Sequence, residues 1–318
     1  MSHRQSRRGF LIGMSGAIGA ALTQHGVGRA SPGSSFSFFV IGDWGVAGSK
    51  NALRVAEQMQ SEALSRSPRF VISVGDNFYS DGVNGIDDPL WQEAFEGVFS
   101  GPGLRCPWYV VLGNHDRRGS VDAQIAYSRV DPRWHLPSPF YSRVEALQNA
   151  ATVEFFFLDT VPLVQESVLD RVSGLGAVRE QLAWLEASLT KSIATWKIVV
   201  GHHPVFSGGS HGTSEHLVRA LKPILDRHRV SLYLSGHDHS LQDIAVDGVR
   251  YLTSGAGAKL GAVQPIAGTL FAASELGFLE VSASPHAIDF AFRGANGLIL
   301  HAAGIAPRDV ARVRTSGE

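Results

Sequence analysis

Five short clusters in this chain gather the residue types that hold metal ions: Gly42-Asp43-Trp44-Gly45, Gly75-Asp76-Asn77-Phe78-Tyr79, Gly113-Asn114-His115-Asp116, Gly201-His202-His203-Pro204 and Gly236-His237-Asp238-His239. Carboxylate, phenolate and amide oxygens together with imidazole nitrogens suit hard and borderline cations. Their number is sufficient for two ions. The chemistry within reach is metal-assisted activation of water, because a bound cation lowers the pKa of water beside it. Each cluster opens with a glycine, where the backbone turns sharply off a strand and a Cβ would crowd the site.

Strand-like apolar runs must deliver these clusters. Phe36–Ile41 precedes Asp43, Phe70–Val74 precedes Asp76, and Trp108–Leu112 precedes Asn114. Lys197–Val200 leads to His202 and Ser231–Leu234 leads to His237. In an open α/β sheet, ligands gather at the carboxyl ends of strands. Helical spacing runs through Asn51–Ser65, Leu90–Phe99, Val121–Ser128, Gln181–Leu189 and Ser214–His228. Phe140–Val144 and Val153–Leu158 read as further strands, and from Val249 onward strands dominate, at Tyr251–Ser254, Gly277–Val281 and Ile288–Arg293. The least patterned stretch, Val161–Gly176, is expected to form an exposed loop. Two sheets packed face to face with helices outside would bury both kinds of strand. No Pro/Gly/Ser linker interrupts the chain, so one catalytic domain is expected over residues 31–306, with a disordered tail at 307–318.

The 44% hydrophobic content supports a sizeable core. A net charge of -1 and a pI near 6.9 give no basic field for nucleic acid or an acidic membrane surface. Ser6-Arg7-Arg8-Gly9-Phe10-Leu11 matches the twin-arginine export pattern. The apolar stretch Phe10–Leu22 that follows is shorter than the about 20 residues a membrane span needs. Residues 1–30 are therefore read as a signal peptide ending near Gly28-Arg29-Ala30, with an uncleaved anchor as the alternative. That reading makes the twin-arginine translocase a partner during export, foresees no stable membrane span and places the protein in the periplasm or outside the cell. Cys106 is the single cysteine, so an intrachain disulfide is excluded, and it is read as a buried core thiol.

Taken in order, these clusters resemble those of the purple acid phosphatases, above all the mammalian-type tartrate-resistant acid phosphatases, within the calcineurin-like metallophosphoesterases. The resemblance spans about Phe36 to Arg293 and includes Pro107-Trp108-Tyr109, Gln124-Ile125-Ala126-Tyr127-Ser128 and Pro137-Ser138-Pro139-Phe140-Tyr141. It implies an α/β fold of two packed mixed β-sheets flanked by helices, an αββα sandwich. It places Asp43, Asp76, Tyr79 and His239 on a first metal, and Asn114, His202 and His237 on a second that shares Asp76. The general phosphoesterase pattern has a histidine two residues after the first aspartate. Here that position is Gly45, and Tyr79 supplies the missing ligand, which marks the purple acid phosphatase branch.

The implied metals are Fe(III) at the first site, where phenolate and carboxylates suit a highly charged ion, and divalent Fe, Zn or Mn at the second. The implied function is an exported acid phosphatase, in which hydroxide activated by the two metals attacks phosphate monoesters. A phosphodiesterase or nucleotide hydrolase on the same centre is an alternative, and an iron-redox protein is another. His115 and His211 are implied as proton donors or phosphate binders, with Asp116 orienting His115 and Asn114 also touching substrate. His203, where mammalian-type enzymes carry tyrosine, is expected to point away from the metal and shape the substrate mouth. Arg117 and Arg118 read equally as phosphate contacts or solvated charges. Trp44 is expected to pack beside the first metal, and His135, His216, His228, His286 and His301 to be structural. Ser254-Gly255-Ala256-Gly257 resembles a family run in which asparagine usually follows; here Ala258 stands there.

Overall fold

Alternation along the first strand sets the layering. In β1 (Phe36–Ile41), Phe36, Phe38 and Val40 enter one core while Phe39 and Ile41 enter another, as a pleated strand buried on both faces must. The computed structural model describes residues 35–164 and 168–308. The expected signal segment, residues 1–30, and nearly all of the expected tail lie outside the described residues. Within the tail, Arg308 is described, and its guanidinium donates to the carbonyls of Val230 and Asp247.

Two mixed sheets result. The first runs β14 (Ile299–Ile305), β13 (Ile288–Gly294), β12 (Gly277–Ala283), β1, β2 (Val71–Ser73), β3 (Trp108–Val110) and β4 (Trp134–His135). Its β1 to β4 half is parallel and its late half antiparallel. The second runs β11 (Thr269–Ala273), β9 (Leu241–Val246), β10 (Val249–Ser254), β8 (Leu232–Ser235), β7 (Trp196–Val200), β6 (Thr152–Phe157) and β5 (Tyr141–Ala146). Between them Phe38, Val40, Phe70 and Ile72 meet Phe155, Ile198, Leu232 and Leu252. Outside the first sheet, Phe39, Ile41 and Val71 pack on Val55, Ala56 and Met59 of α1 (Lys50–Arg66) and on Ala123 and Tyr127 of α2 (Val121–Tyr127). Outside the second, Phe156, Val199 and Tyr233 are covered by Leu185 and Leu189 of α4 (Val168–Lys191), Leu217 of α5 (Glu215–Ala220) and Leu225 of α6 (Lys222–Arg227). The fold is the αββα sandwich. No described helix is long and apolar enough to cross a membrane.

Four local expectations need correction. The exposed loop at Val161–Gly176 is instead α3 (Val161–Val164) followed, after three residues outside the described set, by the start of α4. Gly174 and Gly176 break the apolar period and cost about 1 kcal/mol each in a helix. A helix already anchored through Leu185 and Leu189 propagates through them. The single helix expected over Ser214–His228 divides at Leu221, because Pro223 has no N–H and restricts the residue before it. Leu90–Phe99 is not a regular helix: Trp91–Glu96 forms a wide π turn closed by Gly97 N donating to Gln92 O at 2.9 Å. It brings Trp91 into stacking contact with Tyr127. Cys106 is only partly buried at the edge of the α1-side core.

Candidate metal centre

Strand register decides where the clusters emerge. Ile41 lies opposite Ser73, and Ser73 opposite Val110, so the chain leaves β1, β2 and β3 side by side just before Asp43, Asp76 and Asn114. In the second sheet Val200 lies opposite Leu234, and β7 and β8 release His202 and His237 together. Main-chain bonds stitch the two sheets at this end: Gly42 N to Ser254 O at 2.8 Å and Gly257 N to Gly42 O at 3.1 Å. Trp44 packs beneath, buried among Phe78, Phe95, Phe99 and Trp108, with its indole N–H on Ser73 Oγ.

The turns off the strands carry strain. Asp43, Asp76 and His237 hold φ of 58°, 52° and 68°, a left-handed conformation that non-glycine residues rarely adopt and that collects at functional sites. Gly75 is required by both conformation and space, with φ +94° and a Cβ that would stand 2.6 Å from His202 Nδ1. Gly113 is required by space alone, since its Cβ would meet Asp76 Oδ1 at 2.1 Å.

All seven expected ligands converge. On one side Tyr79 Oη lies 3.0 Å from Asp43 Oδ1 and 3.2 Å from His239 Nε2, with that nitrogen 3.6 Å from Asp43 Oδ1. On the other, His202 Nε2 lies 3.1 Å from Asn114 Oδ1, 3.2 Å from His237 Nδ1 and 3.4 Å from Asp76 Oδ1. Asp76 stands between the groups, with ligand atoms of Asp43, Asp76 and His202 all within 4.8 Å of one another. His202 Nδ1 faces Val74 O at 2.8 Å, which fixes the proton there and leaves the Nε2 lone pair directed inward. Burial, reinforced by His202 and the other nearby imidazoles, holds His237 far below the usual imidazole range, in its neutral, ligating form. Burial, then the charges of Asp43 and Asp76, hold the Tyr79 phenol far above its usual range. A pocket crowded with lone pairs and inward carboxylates fits a cation pair well. Asn114 and His237 offer neutral donors. His202, held above the usual imidazole range because the Asp76 and Asp43 charges outweigh its burial, must give up a proton to ligate. Asp43 and Tyr79 offer anionic donors.

The surrounding residues depart from expectation. Asp116 does not orient His115. Its fully buried carboxylate accepts from the backbone N–H groups of Asn77, Phe78 and Gly113 and from the amides of Asn77 and Gln124. A carboxylate with five neighbouring donors is locked in the scaffold. His115 Nδ1 instead faces Ser80 O at 2.5 Å, its Nε2 lies 3.9 Å from Asp76 Oδ2, and its ring sits 4.3 Å from that of Tyr79. His211 is exposed at the rim with its ring 4.1 Å from that of His237. His203 is buried rather than open to a mouth. Its ring lies 4.3 Å from that of His237, and Nδ1 is 2.9 Å from Thr160 Oγ1. The next turn of chain bends it inward because Thr160 Oγ1 accepts the N–H groups of both His202 and His203. Arg117 is ion-paired with the buried Asp159, and Arg118 reaches Ser80 O and Asp81. Of the histidines read as structural, His228 pairs with Glu186 and His301 with Asp243.

Sequence reasoning missed three contributors. Asp159 and Thr160 end β6 as the other clusters end their strands, a signal masked by the absence of a preceding glycine. Lys259 carried no motif, yet its Nζ sits 3.4 Å from the centre of the Tyr79 ring.

Residues 36–241 match the calcineurin-like phosphoesterase family. Purple acid phosphatase 7 of Arabidopsis thaliana is 37% identical over 308 residues, covering 90% of each chain. The chain belongs to the purple acid phosphatase group of this family. Tartrate-resistant acid phosphatase type 5 of Rattus norvegicus is 41% identical over 242 residues, 71% of this phosphatase and 74% of the relative. Among solved structures, GAP50, the anchor in the inner membrane complex of Plasmodium, superposes with a TM-score of 0.77 at 27% identity, covering 87% of this phosphatase and 90% of that chain. The phosphatase is a metal-dependent hydrolase, and its relatives imply a binuclear centre.

Proposed function

We propose that this phosphatase hydrolyses phosphate monoesters at a pair of ions, one trivalent and one divalent. Asp43, Asp76, Tyr79 and His239 would hold Fe(III); Asn114, His202 and His237, with Asp76, would hold divalent Fe, Zn or Mn. The observation that carries the reading is Tyr79 Oη within 3.2 Å of both Asp43 Oδ1 and His239 Nε2, with Gly45 where other phosphoesterases place histidine. When bound, such a pair supplies Lewis acidity toward water and the phosphoryl oxygens. The chain's own residues do the rest. Val74 O orients His202 with its Nε2 inward, and burial, reinforced by the neighbouring imidazoles, keeps His237 neutral. His115, held by Ser80 O, is the proton donor to the leaving alkoxide. His211 borders the opposite rim and receives the phosphate. His203, buried against His237 and with a ring nitrogen within 4.8 Å of the ligand atoms of His202 and His237, supports the second site. The twin arginines at 7 and 8 favour export by the twin-arginine pathway, to the periplasm or beyond.

The test is protein purified from the periplasmic or secreted fraction. It is expected to contain about one iron and a second metal per chain and to absorb visible light by tyrosinate-to-iron charge transfer. Tyr79→Phe removes that band. Iron-free active protein, or a Tyr79→Phe variant of unchanged colour, sinks the reading.

A further inference from the structure

The segment after β10 crosses the rim of the centre, and it is fixed on both flanks of Lys259. Gly257 N donates to Gly42 O at 3.1 Å, Asn51 Nδ2 to Ala258 O at 3.1 Å, and Gly261 N to His239 O at 2.7 Å. The first and last of these bonds reach the loops that carry Asp43 and His239. The Lys259 backbone therefore moves with the site. Its half-buried ammonium rests on the face of Tyr79, 3.4 Å from the ring centre, and among the described residues it forms no ion pair. Two neighbouring cations are already matched: Arg117 by the buried Asp159, Arg118 by Asp81. A half-buried ammonium that rests on an aromatic face, with the Asp76 and Asp43 carboxylates acting on it from beyond ion-pair distance, is incompletely compensated. The anion that would complete it is one that enters the centre.

We propose that Lys259 is a substrate-binding residue that takes a phosphoryl oxygen from the Tyr79 side and selects for the doubly charged phosphate of a monoester over the singly charged phosphate of a diester. The proposal rests on the phosphatase reading above. A dianion gains more than a monoanion from one added fixed charge, and Lys259 is a charge that the metal ligands do not supply.

Lys259→Met keeps the stem and removes the charge; Lys259→Arg keeps the charge. Calorimetric binding of inorganic phosphate to the metal-loaded enzyme is measured with kcat and KM for an aryl monoester and a bis-aryl diester of equal leaving-group pKa. In the methionine variant, the phosphate Kd is expected to weaken about ten- to a hundredfold, and monoester kcat/KM to fall by a similar factor, mainly through KM. Diester kcat/KM is expected to change less than about threefold, metal content to stay at the wild-type value, and arginine to restore most of the loss. Wild-type phosphate affinity in Lys259→Met, or equal losses on both esters, overturns the proposal while leaving the phosphatase reading intact. Metal-loaded wild-type enzyme that hydrolyses neither ester overturns both.

Discussion

The Asp116 carboxylate ties the turn after β2 to the turn after β3, through Asn77, Phe78 and Gly113, and reaches α2 through Gln124. Removing it orphans several buried donors at once, each worth about 1–3 kcal/mol. Asp116→Ala is accordingly expected to cost about 3–5 kcal/mol in urea unfolding and to lower metal content. A wild-type urea midpoint in that variant would show that the hub is dispensable. At this scale the sequence was most legible where donor type alone carries meaning. Asp43, Asp76, Tyr79, Asn114, His202, His237 and His239 stand out because such donors rarely follow strand-like runs five times over. Asp116 was misread because adjacency to His115 in sequence says nothing of where a side chain points in a 3-10 turn. Lys259 was missed because a lone lysine looks the same on any solvated loop; only folding brings it over Tyr79.

Elements were legible in proportion to their apolar periodicity. The β1 boundaries match the expected Phe36–Ile41, and the other site-bearing strands differ by a residue or two at their ends. Helices were less so. The π turn at Trp91–Glu96 and the break before Pro223 come from tertiary packing of Trp91 and from backbone chemistry that a spacing count ignores. The N-terminal part of α4 was hidden by glycines. The element most exposed to a single change is the turn between β2 and Asp76. At Gly75 any side chain must accept φ +94° and displace His202 Nδ1, at 2.6 Å, or Gly113 N, at 2.9 Å. Gly75→Ala is expected to lose about 2–4 kcal/mol of stability, since neither the strand end nor the imidazole can give without moving the other. His202 would shift with it, so weakened metal retention should accompany the loss. Dialysis against a chelator, compared with the wild type, checks this; a variant of wild-type stability and metal retention would mean that the turn is softer than its contacts imply.

Across the whole molecule, the candidate ligands divide between the layers. Asp43, Asp76, Tyr79 and Asn114 follow strands of the first sheet; His202, His237 and His239 follow strands of the second. The sandwich core of Phe38, Ile72, Phe155 and Leu232 holds the sheets together along their length, but at the site end a few main-chain bonds such as Gly42 N to Ser254 O do so. Ions bound by both sets would clamp that end. An ion at a thousand times its dissociation constant adds about 4 kcal/mol to stability, and each kcal/mol moves Tm by about 2–4 °C in a chain approaching this size. Chelation should then lower Tm by about 8–16 °C, and restored metal should recover it. The effect carries a sign in pH. Burial raises Asp43 above its ordinary 3.8 and, with Asp43 and Asp76, raises Tyr79 above its ordinary 10.0 in the metal-free protein. Each group therefore retains a proton that an entering ion must displace: Tyr79 throughout the neutral range, Asp43 as pH falls below its raised value. Metal affinity must rise with pH. Calorimetric scans of the metal-loaded and chelated protein should therefore diverge increasingly between about pH 4 and pH 8. A Tm difference that is absent, or that narrows as pH rises, would mean that these carboxylate and phenol donors do not bind the ions joining the two sheets.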